Sequence, residues 1–252
     1  MSRQGWDGRH RAPPSRRRSQ SQYPSQPRCD TALHVYPEFG GWPNILALLL
    51  DYLADINVQD IESATALMVA VRQDCPESVK LLLERGVDVE IPDEMSDRRT
   101  CLHQAASAGS AQYIHTLAQS GADVNCRDEN DSTPLMLPSE EGHLDVVQLL
   151  LQPSADVDAV VSDGSSTLFY ASLEEKVEIV GLLIAHGTEV NEEGQTAPHW
   201  SAQNGHIKVA KALLGHAADL EPVDSDKALP LPWAGAEGHK DMEFFVSAES
   251  AK

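Results

Sequence analysis

The chain has 252 residues, 41% hydrophobic but only 5% aromatic, with a formal net charge of −20. Its apolar residues are mainly Leu, Val and Ala, which suit helices better than a β-sandwich, and its longest wholly apolar run, Ile45 to Leu50, is far short of the roughly 20 residues of a membrane helix. The acidic excess argues against direct nucleic-acid binding except through the basic arm, and the four cysteines (Cys29, Cys75, Cys101, Cys126) stand singly, which argues for reduced thiols rather than a C-x-x-C redox or zinc site.

Residues 1–28 hold seven Arg against one acid, a charge of +6 that leaves −26 on the remainder. Rich in Arg, Ser, Gln and Pro and nearly without apolar residues, this segment is predicted to be a disordered basic arm. Arg16 to Arg18 form a weak nuclear-import or nucleic-acid patch, and otherwise a solvated tail. The apolar face of a mitochondrial transit helix is absent.

From residue 29 the sequence becomes periodic. "ADIN" at 54 recurs as "VDVE" at 87, "ADVN" at 122, "ADVD" at 155, "TEVN" at 188 and "ADLE" at 218, at spacings of 33, 35, 33, 33 and 30. Six residues before each lies an apolar triplet: "LLL" at 48, 81 and 149, "LLI" at 182, "ALL" at 212 and the weaker "TLA" at 116. Upstream of each triplet stands a second marker: "TALH" at 31, "TALM" at 65, "TCLH" at 100, "TPLM" at 133, "STLF" at 166 and "TAPH" at 196. Thr is a good N-cap and Pro134 suits the first helical position, so each marker predicts a helix start. With "GH" or a variant between marker and triplet, the order reads helix, short turn, second helix, extended link.

This series resembles the ankyrin repeat, whose period and T-P-L-H signature it shares. The resemblance divides the chain into the arm at 1–28, six repeats over 29–221, and a degenerate, incomplete seventh repeat with its tail at 222–252. It implies an all-α solenoid of stacked helix-turn-helix units with β-hairpin fingers. It also disposes of a metal reading of the acidic stretch 121–133. A calcium loop needs a Gly at position 6 and a Glu at position 12; counted from Asp128 these are Thr133 and Ser139, and counted from Asp123 the fifth ligand is Arg127. The stretch reads as one finger.

The resemblance further implies that protein contacts lie at the finger tips and on the exposed face of each first helix. In the second repeat these positions are Ile61, Glu62, Arg72 and Gln73; in the third, Ser96, Asp97, Arg99 and Ser107. The fourth supplies Glu129, Asn130, Glu140 and Glu141, the fifth Asp163, Leu173 and Glu174, and the sixth Glu192, Glu193, Gln203 and Asn204. Nine acids against two bases point to a basic partner, unless the charges serve only solubility. Asn57, Asn125 and Asn191 each end an acid-apolar-Asn triplet with a Leu eight residues upstream, which resembles the pattern modified by the asparaginyl hydroxylase that acts on ankyrin repeats.

Of the ten histidines, eight occupy fixed repeat positions: His34, His103 and His199 in the marker, His143, His206 and His239 between the helices, His186 and His216 near the second helix end. Only His10 and His115 remain, without ligand spacing. No nucleophile elbow, phosphate loop or H-E-x-x-H occurs, so no cofactor, metal or catalytic residue is expected.

Departures mark weak points. Gly86, Gly121 and Gly187 are predicted left-handed caps, replaced elsewhere by Leu53, Ser154 and Ala217; Pro37, Pro138 and Pro153 disturb helices, and Pro198 replaces a buried Leu. The expected function is a non-enzymatic scaffold or adaptor, monomeric, cytoplasmic or nuclear, docking a basic protein segment on an acidic concave face. Two alternatives stand beside it: a regulatory or substrate-recognition region of a larger enzyme or ubiquitin-ligase complex, and a nucleic-acid-associated protein tethered by its Arg-rich arm.

Overall fold

The computed structural model describes residues 43–52, 55–152, 155–188, 197–215, 238–242 and 245. The arm, the first marker, Pro37, Pro153, the cap positions Leu53, Ser154 and Ala217, the candidate residues Asn191, Glu192 and Glu193, and most of 222–252 lie outside them.

Two kinds of helix alternate. The first helices are short: α2 (Ala66–Arg72), α4 (Cys101–Ser107), α6 (Met136–Glu141), α8 (Thr167–Leu173) and α10 (Ala197–Gln203). The second helices are α1 (Pro43–Asp51), α3 (Pro76–Glu84), α5 (Ala111–Gln119), α7 (Leu144–Leu151), α9 (Val177–Ala185) and α11 (Ile207–Gly215). Each first helix packs on its own second helix and on the next first helix, so α2, α4, α6, α8 and α10 form one unbroken row. The predicted all-α solenoid is thus the observed architecture.

The periodic Leu positions explain the stacking. The central residue is fully buried in five of the six triplets, at Leu82, Leu117, Leu150, Leu183 and Leu213, while Leu49 of the first is only partly buried. Even the weak "TLA" triplet places Leu117 there. Leu67, Leu102, Leu135 and Leu168 close the layer from the first helices, and one cluster runs from Leu46 to Leu213. No repeat could bury this surface alone, which is why the units must stack.

Among the described residues the helix starts follow the markers with one exception. Thr65 Oγ1 accepts the Met68 N–H, and Ser166 Oγ accepts that of Phe169. At Thr133 the expected start at Pro134 fails: the helix opens at Met136, whose N–H reaches back only three residues to the Thr133 carbonyl. Pro138 is the cause, since it has no N–H to offer the Pro134 carbonyl and its ring crowds that oxygen. The Thr133 hydroxyl is left buried without a partner.

The predicted glycine caps are left-handed, with φ of 76° at Gly86, 95° at Gly121 and 92° at Gly187. Between the helices, glycine serves a different purpose. A Cβ on Gly109 would lie 2.7 Å from His143 Nδ1, and one on Gly205 equally close to His239 Nδ1. Each imidazole therefore seats on the bare turn of the preceding repeat.

Candidate protein-binding face

Each finger links a second helix to the first helix of the next repeat. Antiparallel bridges close them at Gln59 and Thr65, Asp93 and Arg99, and Val160 and Ser166. An aspartate side chain shapes the tip: Asp60 Oδ1 accepts the N–H groups of Glu62 and Ala64, and Asp128 Oδ1 those of Asn130 and Ser132. The finger after Asp93 has seven steps to its Thr100, where Asp60 has five to Thr65. Asp97 and Arg98 take up the excess in left-handed conformations, φ 53° and 55°. The Asp97 carbonyl then accepts the Glu129 N–H at 2.7 Å, tying the long finger to the next.

Side chains continue the linkage. Asn57 Oδ1 accepts the Asp88 N–H at 2.9 Å, Glu90 Oε1 that of Asp123 at 2.8 Å, and Asn125 Oδ1 that of Asp156 at 2.7 Å. The two described asparagines of the modification pattern thus brace one finger against the next. His103 is wholly buried and spans two repeats: Nδ1 receives the Thr100 N–H, so Nε2 holds the proton and donates to the Ser132 carbonyl at 3.0 Å. Burial lowers its pKa and favours this neutral form.

Cys126 Sγ lies 3.6 Å from the same Nδ1. A nucleophilic pair needs a thiolate beside an imidazolium, and this pair is tuned the other way. Burial pushes the Cys126 thiol up to about 11 while the imidazole pKa falls. Cys101, fully buried, is pushed to about 12. Among the described residues no three His, Cys, Asp or Glu side chains converge to hold a metal ion. No described helix is long and apolar enough to cross a membrane.

Some of the predicted contact residues fall into two groups. Glu62, Arg72, Ser96, Arg99 and Ser107 line one open groove of about 580 Å³ beneath the long finger, with Asp93, Met95, Gln104 and Ala108. Arg99 is committed, its Nε 3.2 Å from the buried Asp128 carboxylate. Asp93 is buried, accepts from the Met95 N–H and Gln104 Nε2, and has its pKa raised chiefly by desolvation. Arg72 is exposed and makes no hydrogen bond or ion pair with a described residue. Met95, at 73% exposure, was not anticipated from residue type, although the 35-residue spacing marks its finger.

The second group lies at the C-terminal ends of α6 and α8. Glu140, Glu141 and Glu174 are exposed at the surface, but the Glu140 carboxyl is partly desolvated by its surroundings, which raises its pKa first, the charges of Glu141 and Glu174 adding to this. Arg99 only partly offsets this. Tyr170, also unforeseen, is half-buried beside them, its hydroxyl raised by burial and by Asp163 and Glu140. Its ring meets Phe169 edge-on, and Phe169 meets Trp200 in the same way.

The remaining predicted residues are not gathered into either group. Ile61 is 49% exposed at its tip, and Glu129 and Asn130 are exposed at theirs. Gln73 caps α2 through its backbone, Leu173 gives its carbonyl to His206 Nε2, and Asp163 accepts the Ser165 N–H. Asn204 bonds the Trp200 carbonyl, while Gln203 Oε1 is buried without a partner.

Known proteins share this architecture. The ankyrin repeat domain of Bcl-3, described as a unique member of the IkappaB protein family, superposes with a TM-score of 0.76 at 27% identity, over 85% of this chain and 98% of that one. The mouse B-cell lymphoma 3 protein homolog is 37% identical over 121 residues, 46% of this chain and 27% of its own length. The human B-cell lymphoma 3 protein is 33% identical over 153 residues, again 46% of this chain and 34% of its length. The chain therefore spans about a third or less of these curated relatives. A family model described as ankyrin repeats (3 copies) matches residues 18–93, 90–161 and 155–224. Two markers in register, the row of first helices and a match along most of its length lead to one assignment: the chain belongs to the ankyrin-repeat family.

Proposed function

We propose that this chain is a non-catalytic interaction module, monomeric and working in the cytoplasm or nucleus, that docks a basic segment of another protein against the acidic part of its finger face. One observation carries the reading: Glu140, already partly desolvated, stands close enough to Glu141 and Glu174 for their charges to raise its cost of ionisation further, with Arg99 the opposing charge. Like charges held together at a surface are relieved by a cation from outside. Tyr170, beside the carboxylates, offers a ring face to a guanidinium or ammonium group. The Cys126–His103 pair is tuned against thiolate formation and offers no nucleophile.

Selection of displayed random peptides on the immobilised full chain tests the reading. Lys and Arg should be enriched, and binding of a selected peptide should weaken as salt rises. The E140Q/E141Q/E174Q variant should lose the enrichment while keeping its circular dichroism. Selected peptides without excess positive charge would refute the basic partner.

Asn57 and Asn125, with Asn191, remain proposed substrates of an asparaginyl hydroxylase. Incubation with such an enzyme followed by mass spectrometry, showing no oxidised Asn, would remove the proposal.

A further inference from the structure

We infer that the groove beneath the long finger is an anchor pocket for an apolar side chain of the partner segment, about five or six residues from the basic residue that meets Glu140, Glu141 and Glu174. This rests on the function proposed above and gives the partner a spacing. The groove, about 580 Å³, falls in the range of formed ligand pockets. Val71, Ala108 and Met95 give it apolar walls, and Met95 stands 73% exposed among the described residues.

Its polar groups match a peptide main chain. Gln104 Nε2 is spent on Asp93, which fixes the amide orientation and leaves Oε1 buried without a hydrogen-bond partner. An unmade bond at a buried acceptor is costly, and because this atom has almost no surface open to solvent, a backbone N–H of the partner reaches it only once a neighbouring side chain moves aside. Arg72, whose charge acts on Asp93 without a direct ion pair, has donors for the adjacent carbonyl. The groove holds Arg72 and Arg99 against Glu62 and Asp93, so its formal charges balance and it has no reason to select an ion. An uncharged anchor fits both features.

Geometry sets the spacing. The groove lies between α2 and α4, and the carboxylates stand on α6 and α8, two steps along the row. Helices pack about 8–10 Å apart, so the steps span about 16–20 Å. An extended chain rising about 3.3 Å per residue crosses that in about five or six residues.

The peptide selection on the full chain tests this directly. Enriched sequences should hold Leu, Met or Phe at that offset from Lys or Arg, in one order. For a fluorescein-labelled selected peptide, replacing the apolar residue with Ala should weaken binding about tenfold. Ala108→Trp, which fills the groove from an exposed position, should match that loss without adding to it. Met95→Ser, at an exposed tip unimportant for folding, should weaken binding in the same direction should the Trp variant not fold. Lys and Arg enrichment without a fixed apolar offset, or unchanged binding to whichever of the two variants folds, overturns the anchor and leaves the basic partner standing. An apolar preference that both variants abolish, with no basic enrichment, supports the groove and sinks the basic partner.

Discussion

The third and fourth repeats depart from the pattern in opposite places. In the third, two added residues lengthen a finger, and the new backbone finds partners: Ser96 N–H on Asp93, Arg99 N–H on Ser96, and Asp97 O under Glu129 N–H. In the fourth, Pro138 enters a first helix, delays its start to Met136 and strands the Thr133 hydroxyl. The fingers face outward, where a turn can be rebuilt. The row of first helices is packed on both sides, so a missing N–H there has no substitute. The same stacking that gives the chain its core makes its two kinds of segment unequal in tolerance.

The largest effects come from the layer both repeats share. Leu117→Ala and Leu150→Ala each empty a fully buried position and should cost about 2–5 kcal/mol. The cost depends on how far a site can collapse, and the fourth repeat, with its delayed helix, should yield more readily. Urea unfolding should therefore place Leu150→Ala at the lower end of that range and Leu117→Ala at the upper. The reverse order would break the comparison.

Pro138→Ala should stabilise the protein by about 1–2 kcal/mol. It restores an N–H for the Pro134 carbonyl, against the loss of some packing by a buried ring. The unfolding midpoint should rise with the slope unchanged. A fall would mean that the ring's contacts outweigh the missing bond.

Two threonines at equivalent positions sharpen the contrast further. Thr100→Val removes the hydroxyl that reaches His103 Nδ1 at 3.0 Å and should cost about 1 kcal/mol. Thr133→Val removes a buried hydroxyl that bonds nothing and should gain a few tenths to about 1 kcal/mol. Thermal melts of the two variants should move in opposite directions. Movement in the same direction would show that the stranded hydroxyl is not what distinguishes the fourth repeat.

These differences were only partly legible in the sequence. The periods, the Leu layer and the glycine caps depend on residue type at fixed offsets, and each was readable. The 35-residue spacing announced the long finger but not its consequence, because Met95 lines a groove only once Gln104 and Ala108 of the next helix stand opposite. Pro138 was visible, yet its effect on Thr133 depends on which carbonyl lies four residues back. The acid excess was plain in composition. Its division into a charge-balanced groove around Arg72 and a carboxylate cluster on α6 and α8 requires the row of helices.

The smallest effect concerns the marker's fourth position, which is His103 in the third repeat and Met136 in the fourth. His103 has a pKa lowered by burial, so the unfolded chain takes up its proton first as pH falls. Its contribution is complete above about pH 6.5 and is lost as pH falls from there through the lowered folded value. Asp93 and Glu140 act with the opposite sign at lower pH. Their folded pKa values are raised, mainly by burial, so falling pH relieves their cost down to the ordinary carboxylate range. His103→Met, copying the buried Met68 and Met136, separates the two. It loses the bridge to Ser132, so it should be less stable at pH 8, but it should lose less stability between pH 7 and 5.5 than the parent chain. Parallel stability curves over that window would mean that His103 keeps its partners when protonated, and that the third repeat's clamp does not depend on the neutral ring.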